Sequence, residues 1–189
     1  MLIDKTIVLG VTGSIAAYKA AYLTSKLIQS GARVEVVMTE AAKKFVTPLT
    51  FRSLTGRNPV DMFNLDSELN IGHISLAEMA DIVVIAPATA NIIAKLANGI
   101  ADDTLTCTVL ATKAPVLIAP AMHTNMLQNA VTQNNLAKLR ARGFTIVEPA
   151  HGRLASGEIG PGRLAEIKII TDTIKQVLDR SRTSPGSIS

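Results

Sequence analysis

Three stretches of this 189-residue chain carry polar side chains that could do chemistry where apolar runs end. PAMHTNM, residues 120–126, sets His123 and Asn125 between two methionines directly after an apolar run. An imidazole donates one hydrogen bond when neutral and two when charged, and an amide both donates and accepts, so the stretch reads either as a helix start with gap-filling core residues or as the floor of a binding pocket. GHISLAEMA carries His73, an imidazole of the kind most easily poised to move protons near neutrality. GVTGSI, residues 10–15, joins Gly13 to Ser14, a turn that opens a helix and faces free N–H groups toward an anion.

Several chemistries are absent. His73, His123 and His151 stand far apart and no carboxylates or thiols sit at ligand spacing, so no metal site is expected. There is no G-x-S-x-G nucleophile elbow. Asp102-Asp103 reads as an acidic helix start favoured by the helix dipole. The single cysteine, Cys107 in TLTCTVLA, excludes an intramolecular disulfide, suits a reducing compartment and reads as a small buried hydrophobe. The G-x-x-G turn is not the dinucleotide fingerprint, and Met38-Thr39 puts a hydroxyl where such sites want an acid. A mononucleotide such as FMN therefore fits better than NAD, with Thr39 near its phosphate. In APATAN, residues 86–91, the small Ala86, Ala88 and Ala90 would let a flat ring lie against backbone, Thr89 would cap the next helix and Asn91 offers an amide.

The elements that must position these residues alternate. Apolar strand patterns cover residues 5–11, 33–39, 81–87, 114–120 and 144–149. Helical patterns cover 12–31, a short piece around 73–80, 89–99, 102–112, 130–143 and 165–179. Residues 40–66 are irregular, 151–163 read as a glycine-rich loop with the character of a mobile flap, and a polar tail at 181–189 is expected to be disordered. Strands separated by helices imply an α/β fold, a single domain over residues 1–180 with a parallel sheet covered by helices on both faces. With aromatics at only 3%, its core is aliphatic. Ligands in such sheets bind outside the strands' carboxyl ends. VTGSIAAYK, MTE, APATAN, APAMHTNM and EPAHGRLASG all fall there, so the polar oddities converge on one edge.

Net charge is +4 with cations scattered singly, which suits small anionic ligands and argues against nucleic acid. No apolar run reaches the ~18–20 residues of a membrane span. The amino terminus reads as a first strand rather than a signal peptide, so a cytoplasmic protein is expected.

TGSIAAYK, GHISLAEMAD, APATANIIAKLANGIADD, APAMHTNM and GRLASGEIGPGRLAE, in this order across nearly the whole chain, resemble the homo-oligomeric flavin-containing cysteine decarboxylases. The likeness is strongest to the branch acting on 4′-phosphopantothenoylcysteine in coenzyme A biosynthesis. The resemblance implies a flavodoxin-like fold and FMN held between subunits of a trimer that often assembles into a dodecamer. It implies that Gly13, Ser14, Ile15 and Thr39 contact the phosphate and ribityl chain, and that the ring lies near Phe45, against Ala86, Pro87, Ala88, Thr89 and Asn91, with Ala121 close by. It assigns His73 to the first stage, in which the oxidised flavin takes a hydride from the cysteine β-carbon to give a thioaldehyde. CO₂ then leaves an ene-thiolate, and the returned hydride gives 4′-phosphopantetheine.

Substrate contacts are expected from His123, Asn125, Met126, Arg153, Leu154 and Ala155. His123 stands where the family usually has asparagine, in P-A-M-N-x-x-M. Ser156 stands where the flap often reads L-A-C-G, whose cysteine is the proton donor of the last reduction. Peptide-modifying members stop after oxidative decarboxylation, flavin prenyltransferases share the fold without the histidine, and regulatory flavoproteins reuse it without catalysis. A separate phosphopantothenate–cysteine ligase is an expected partner.

Overall fold

The computed structural model describes residues 2–61 and 72–183. Its first strand, β1 (Thr6–Val11), leads through a tight turn to α1 (Ala17–Gln29) and β2 (Arg33–Met38). A 3₁₀ turn (Ala42–Lys44) and α2 (Pro48–Thr55) follow, then α3 (His73–Met79), β3 (Ile82–Ala88), α4 (Ala90–Asn98) and α5 (Thr104–Ala111). After β4 (Val116–Pro120) come α6 (Thr124–Gln128), α7 (Ala130–Ala141), the short β5 (Thr145–Ile146), β6 (Ala150–Arg153), β7 (Ile159–Arg163) and α8 (Ile167–Thr183).

β1 to β5 form one parallel sheet in the order β2-β1-β3-β4-β5. This is the flavodoxin-like arrangement, in which the chain reverses direction across the sheet between β1 and β3. Strand side chains alternate between two cores. Ile7, Leu9, Val11, Val84 and Leu117 pack under α1 and α8, whereas Val8, Val83, Ile85 and Ile118 pack under α3, α4, α5 and α7. Both faces are covered, so the strands read as continuous apolar runs. Gly10 has a packing reason, because a Cβ there would run into the methyls of Leu105 on α5.

Five expectations need adjusting. The first helix begins at Ala17, because residues 13–16 form a turn; the Ser14 hydroxyl accepts from the Ala16 N–H (3.2 Å) and does not cap α1. The strand expected at 144–149 pairs over two residues only, at the sheet's edge. The glycine-rich loop is an antiparallel hairpin of β6 and β7, whose strands carry no apolar alternation to announce it. Cys107 is half-buried rather than buried, with its thiol donating to the Ala101 carbonyl (3.5 Å). α8 continues through Thr183, and residues 184–189 of the expected tail lie outside the described residues. The acidic pair stands at a helix start as expected, though Asp103 precedes the first turn and caps α5 in a capping box with Thr106. Asp102 pairs with Lys95 (2.7 Å), a hydrogen bond that lowers its pKa and raises that of the lysine.

Candidate active site

Strand order reverses between β1 and β3, and the crevice at the carboxyl ends of such a pair is where sheets of this kind bind ligands. Thr12, fully buried just past β1, bridges it. Its hydroxyl donates to the Pro87 carbonyl (2.7 Å) and accepts from the Thr89 N–H (3.1 Å). One hydroxyl therefore sets the spacing between the glycine turn and APATAN. Thr89 in turn caps α4, its hydroxyl accepting from the Ile92 N–H (3.3 Å). Gly13 must be glycine for contact reasons, since a Cβ would overlap the methyl of Ala41 beyond β2. That contact brings the first turn against the Thr39 segment, where the Thr39 hydroxyl accepts from the Ala42 N–H (3.3 Å). Lys43 nearby is held by Glu40 and Asp61; the Glu40 hydrogen bond is the chief cause of its raised pKa.

β4 ends in the polar segment singled out above. His123 caps α6, its Nδ1 accepting from the Asn125 N–H (3.2 Å). That acceptor role puts the proton of a neutral ring on Nε2, which lies 2.8 Å from Oε2 of Glu158 in the hairpin. Two further bonds seat the hairpin: the Met122 N–H donates to the Gly162 carbonyl (2.9 Å) and the Thr124 hydroxyl to the Pro161 carbonyl (2.7 Å). Side chains at Gly160 and Gly162 would strike Thr124 and the Met122 carbonyl, and Gly162 holds φ +133°.

Between α1, the end of β4 and this hairpin lies a cleft of about 530 Å³, a size that holds a cofactor or small ligand. Ser14, Ile15 and Ala121 line it, as do His123, Arg153, Leu154, Ala155 and Ser156. Tyr18, Lys19, Met122 and Arg163 join them without having been singled out in the sequence. Lys19, Arg153, Arg163 and His123 give the lining several cationic or donor groups; among the described residues no carboxylate lines it, and Glu158 meets it only at the rim, on His123. That donor set fits a phosphate-bearing ligand such as FMN or an anionic substrate.

The other expected residues lie outside this cleft. Ala86 and Ala88 are fully buried, with their methyls in opposite cores, and Pro87 is buried between them. That leaves the half-buried Thr89 and Ala90 and the exposed Asn91 as the accessible part of APATAN. Asn125 is exposed, its backbone rather than its amide serving the His123 cap. His73 begins α3, on the sheet face opposite α1, at the half-buried end of that helix. Ile15 and Tyr18, which line the cleft, and Phe45 and Met126, outside it, are all about half exposed or more (62%, 62%, 50% and 49%). Among the described residues no cluster of potential metal ligands is found, and no helix is long and apolar enough to cross a membrane.

Comparison with known proteins agrees with this geometry. The chain is 52% identical over 167 residues to the coenzyme A biosynthesis bifunctional protein CoaBC of Vibrio parahaemolyticus, covering 87% of this chain and 42% of that protein. It is 46% identical to the Bacillus subtilis protein of the same name, covering 98% of this chain and 46% of the relative. The chain thus spans less than half the length of these curated relatives. Among solved structures, the FMN-dependent cysteine decarboxylase SpaF superposes with TM-score 0.84 at 34% identity, covering 96% of this chain and 99% of that one. A Cys→Ser variant of PPC decarboxylase complexed with pantothenoylaminoethenethiol gives TM-score 0.83 at 34% identity, covering 93% and 98%. The Flavoprotein family matches residues 1–179, so this chain, with its parallel sheet, its crevice and its cation-lined cleft, belongs to the Flavoprotein family.

Proposed function

We propose that the chain is an FMN-dependent carboxy-lyase that converts 4′-phosphopantothenoylcysteine to 4′-phosphopantetheine. The observation that carries this reading is the cleft beneath the β6–β7 hairpin, lined by Lys19, Arg153, Arg163 and His123, with Glu158 on His123 the one carboxylate at its rim. A substrate bearing both a phosphate and a carboxylate needs that balance. FMN would supply the redox step, accepting a hydride from the cysteine β-carbon and returning it later.

The chain's own residues would bind, orient and protect. Gly13, Ser14, Ile15 and Thr39 would hold the FMN phosphate and ribityl chain, with the ring near Phe45, Ala121 and the segment from Ala86 to Asn91. The Nε2–H of His123 would take the substrate carboxylate in the way an asparagine amide does, as a neutral directed donor. Asn125 and Met126 would complete that end, while Arg153, Leu154 and Ala155 cover the substrate and keep water out. His73 would accept the thiol proton in the oxidative stage. It sits on the face of the sheet away from the cleft, so a second copy of the chain would complete the site. The exposed Ile15, Tyr18, Phe45 and Met126 support such a homo-oligomer, a trimer or dodecamer. A ligase joining phosphopantothenate to cysteine would supply the substrate, and a cytoplasmic setting belongs to this reading.

Ser156 favours a second reading. A hydroxyl is a far poorer acid than a thiol, so the last protonation would be slow and the reaction could stop at the ene-thiol. A cysteine at the end of a peptide would then be the substrate. The mass of the product from purified, flavin-loaded protein and phosphopantothenoylcysteine decides. Loss of CO₂ alone supports the full reaction, and loss of CO₂ plus two hydrogens supports the oxidative stop. No turnover, together with turnover of cysteine-ending peptides, would overturn the first reading.

A further inference from the structure

We propose that Glu158 is a tethered stand-in for the substrate carboxylate. It occupies His123 whenever no substrate carboxylate is present, and so holds the hairpin tip over the cleft both before binding and after CO₂ has left. This rests on the reading of His123 given above, and it adds a residue to the site described there.

The ring's own bonding makes the exchange one for one. Nδ1 is committed to the Asn125 N–H, so a neutral His123 has a single N–H to give, on Nε2. In the structure that donor lies 2.8 Å from Glu158 Oε2. A substrate carboxylate reaching His123 must therefore displace Glu158. The displacement is mechanically cheap, because the Glu158 side chain is 62% exposed and can turn into water.

The hairpin is built for a tip that moves on a fixed base. Its base is pinned by the Met122–Gly162 and Thr124–Pro161 hydrogen bonds, which do not involve Glu158. Its tip is a turn closed by the Leu154 N–H donating to the Glu158 carbonyl (2.8 Å) and the Gly157 N–H to the Leu154 carbonyl (2.9 Å). The bond from Glu158 to His123 ties this tip, which carries Ser156, to the β4 end of the cleft. Decarboxylation removes the group that held His123 and would leave its N–H without an acceptor beside an unfinished intermediate. Re-pairing with Glu158 closes that gap and keeps the tip down during the second half of the reaction.

The test compares Glu158→Ala and Glu158→Gln with the wild type, each purified with its flavin. Without substrate, amide exchange at Leu154 and Gly157 should quicken about 3–10-fold in Glu158→Ala, the range of a half-exposed charge-assisted hydrogen bond. It should be partly restored in Glu158→Gln, whose amide oxygen still accepts. The preference for phosphopantothenoylcysteine over phosphopantetheine, which differ by the carboxylate, should rise by a similar factor in Glu158→Ala. The fraction of product released two hydrogens short should rise with it. In a His123→Ala background the Glu158 substitution should change none of these. Unchanged tip exchange, or equal weakening of both ligands, overturns the proposal. If the wild type binds neither ligand, the assigned substrate fails, and the exchange measurement still decides whether Glu158 latches the hairpin.

Discussion

Replacing Thr12 by valine tests whether one hydroxyl holds the crevice between β1 and β3. Valine matches threonine in shape, so no cavity opens and the effect isolates hydrogen bonding. The Pro87 carbonyl is buried and loses its 2.7 Å donor, while the half-exposed Thr89 N–H loses its 3.1 Å acceptor. A buried polar group left unpaired costs about 1–3 kcal/mol, and a bond whose donor can reach water about 0.5–1.5. Together these put the loss at about 1.5–4.5 kcal/mol, or a melting temperature lower by about 3–18 °C for a chain of this length. Because Thr12 also sets the distance between the glycine turn and Thr89, flavin retention through gel filtration should fall more than stability alone accounts for. Thr12→Ser keeps the hydroxyl and should stay within about 1 kcal/mol of the wild type. Calorimetry and visible absorbance read both effects. A valine variant melting within about 1 °C of the wild type with full flavin content would refute the reasoning, since it would mean water replaces both partners at little cost.

Three further outcomes are expected. Gly162→Ala meets the Met122 carbonyl at φ +133° and should lift the hairpin, with faster proteolysis between residues 153 and 160 and a larger loss in kcat/KM than in melting temperature. An intact, protease-resistant hairpin would contradict the packing argument. His73→Asn should fold and keep the wild-type flavin spectrum while releasing no CO₂ from phosphopantothenoylcysteine; retained turnover removes His73 from the reaction. In Lys95→Met, the Asp102 carboxyl should titrate at a higher pH than in the wild type, because the Lys95 hydrogen bond that lowers its pKa is gone. A carboxyl with a lowered folded pKa stabilises above its unfolded pKa and loses that contribution as pH falls. The variant should thus be slightly less sensitive to acid, and an unmoved carbon-detected titration of Asp102 would show that the pair does not form.

The sequence by itself determined the architecture and the edge on which the site lies. Strands such as IVVIAPA are apolar throughout because both sheet faces are covered, and polar or glycine-rich residues can stand only where the strands end. PAMHTNM, APATAN and GVTGSI were legible for that reason, and so was the Thr89 cap of α4, whose partner lies three residues away. Tertiary structure alone decided which of these segments meet. Thr12 reaches residues 75 and 77 positions away. Glu158 finds His123 only because the hairpin folds back on α6, and the glycines that permit this approach read in sequence merely as loop formers. Lys19 and Arg163 look like scattered surface charges until α1 and β7 bring them to one cleft. Local pattern reports which face of an element is buried. Hydrogen bonds and charges between distant segments depend on how those elements pack, and the chemistry of this site is made of them.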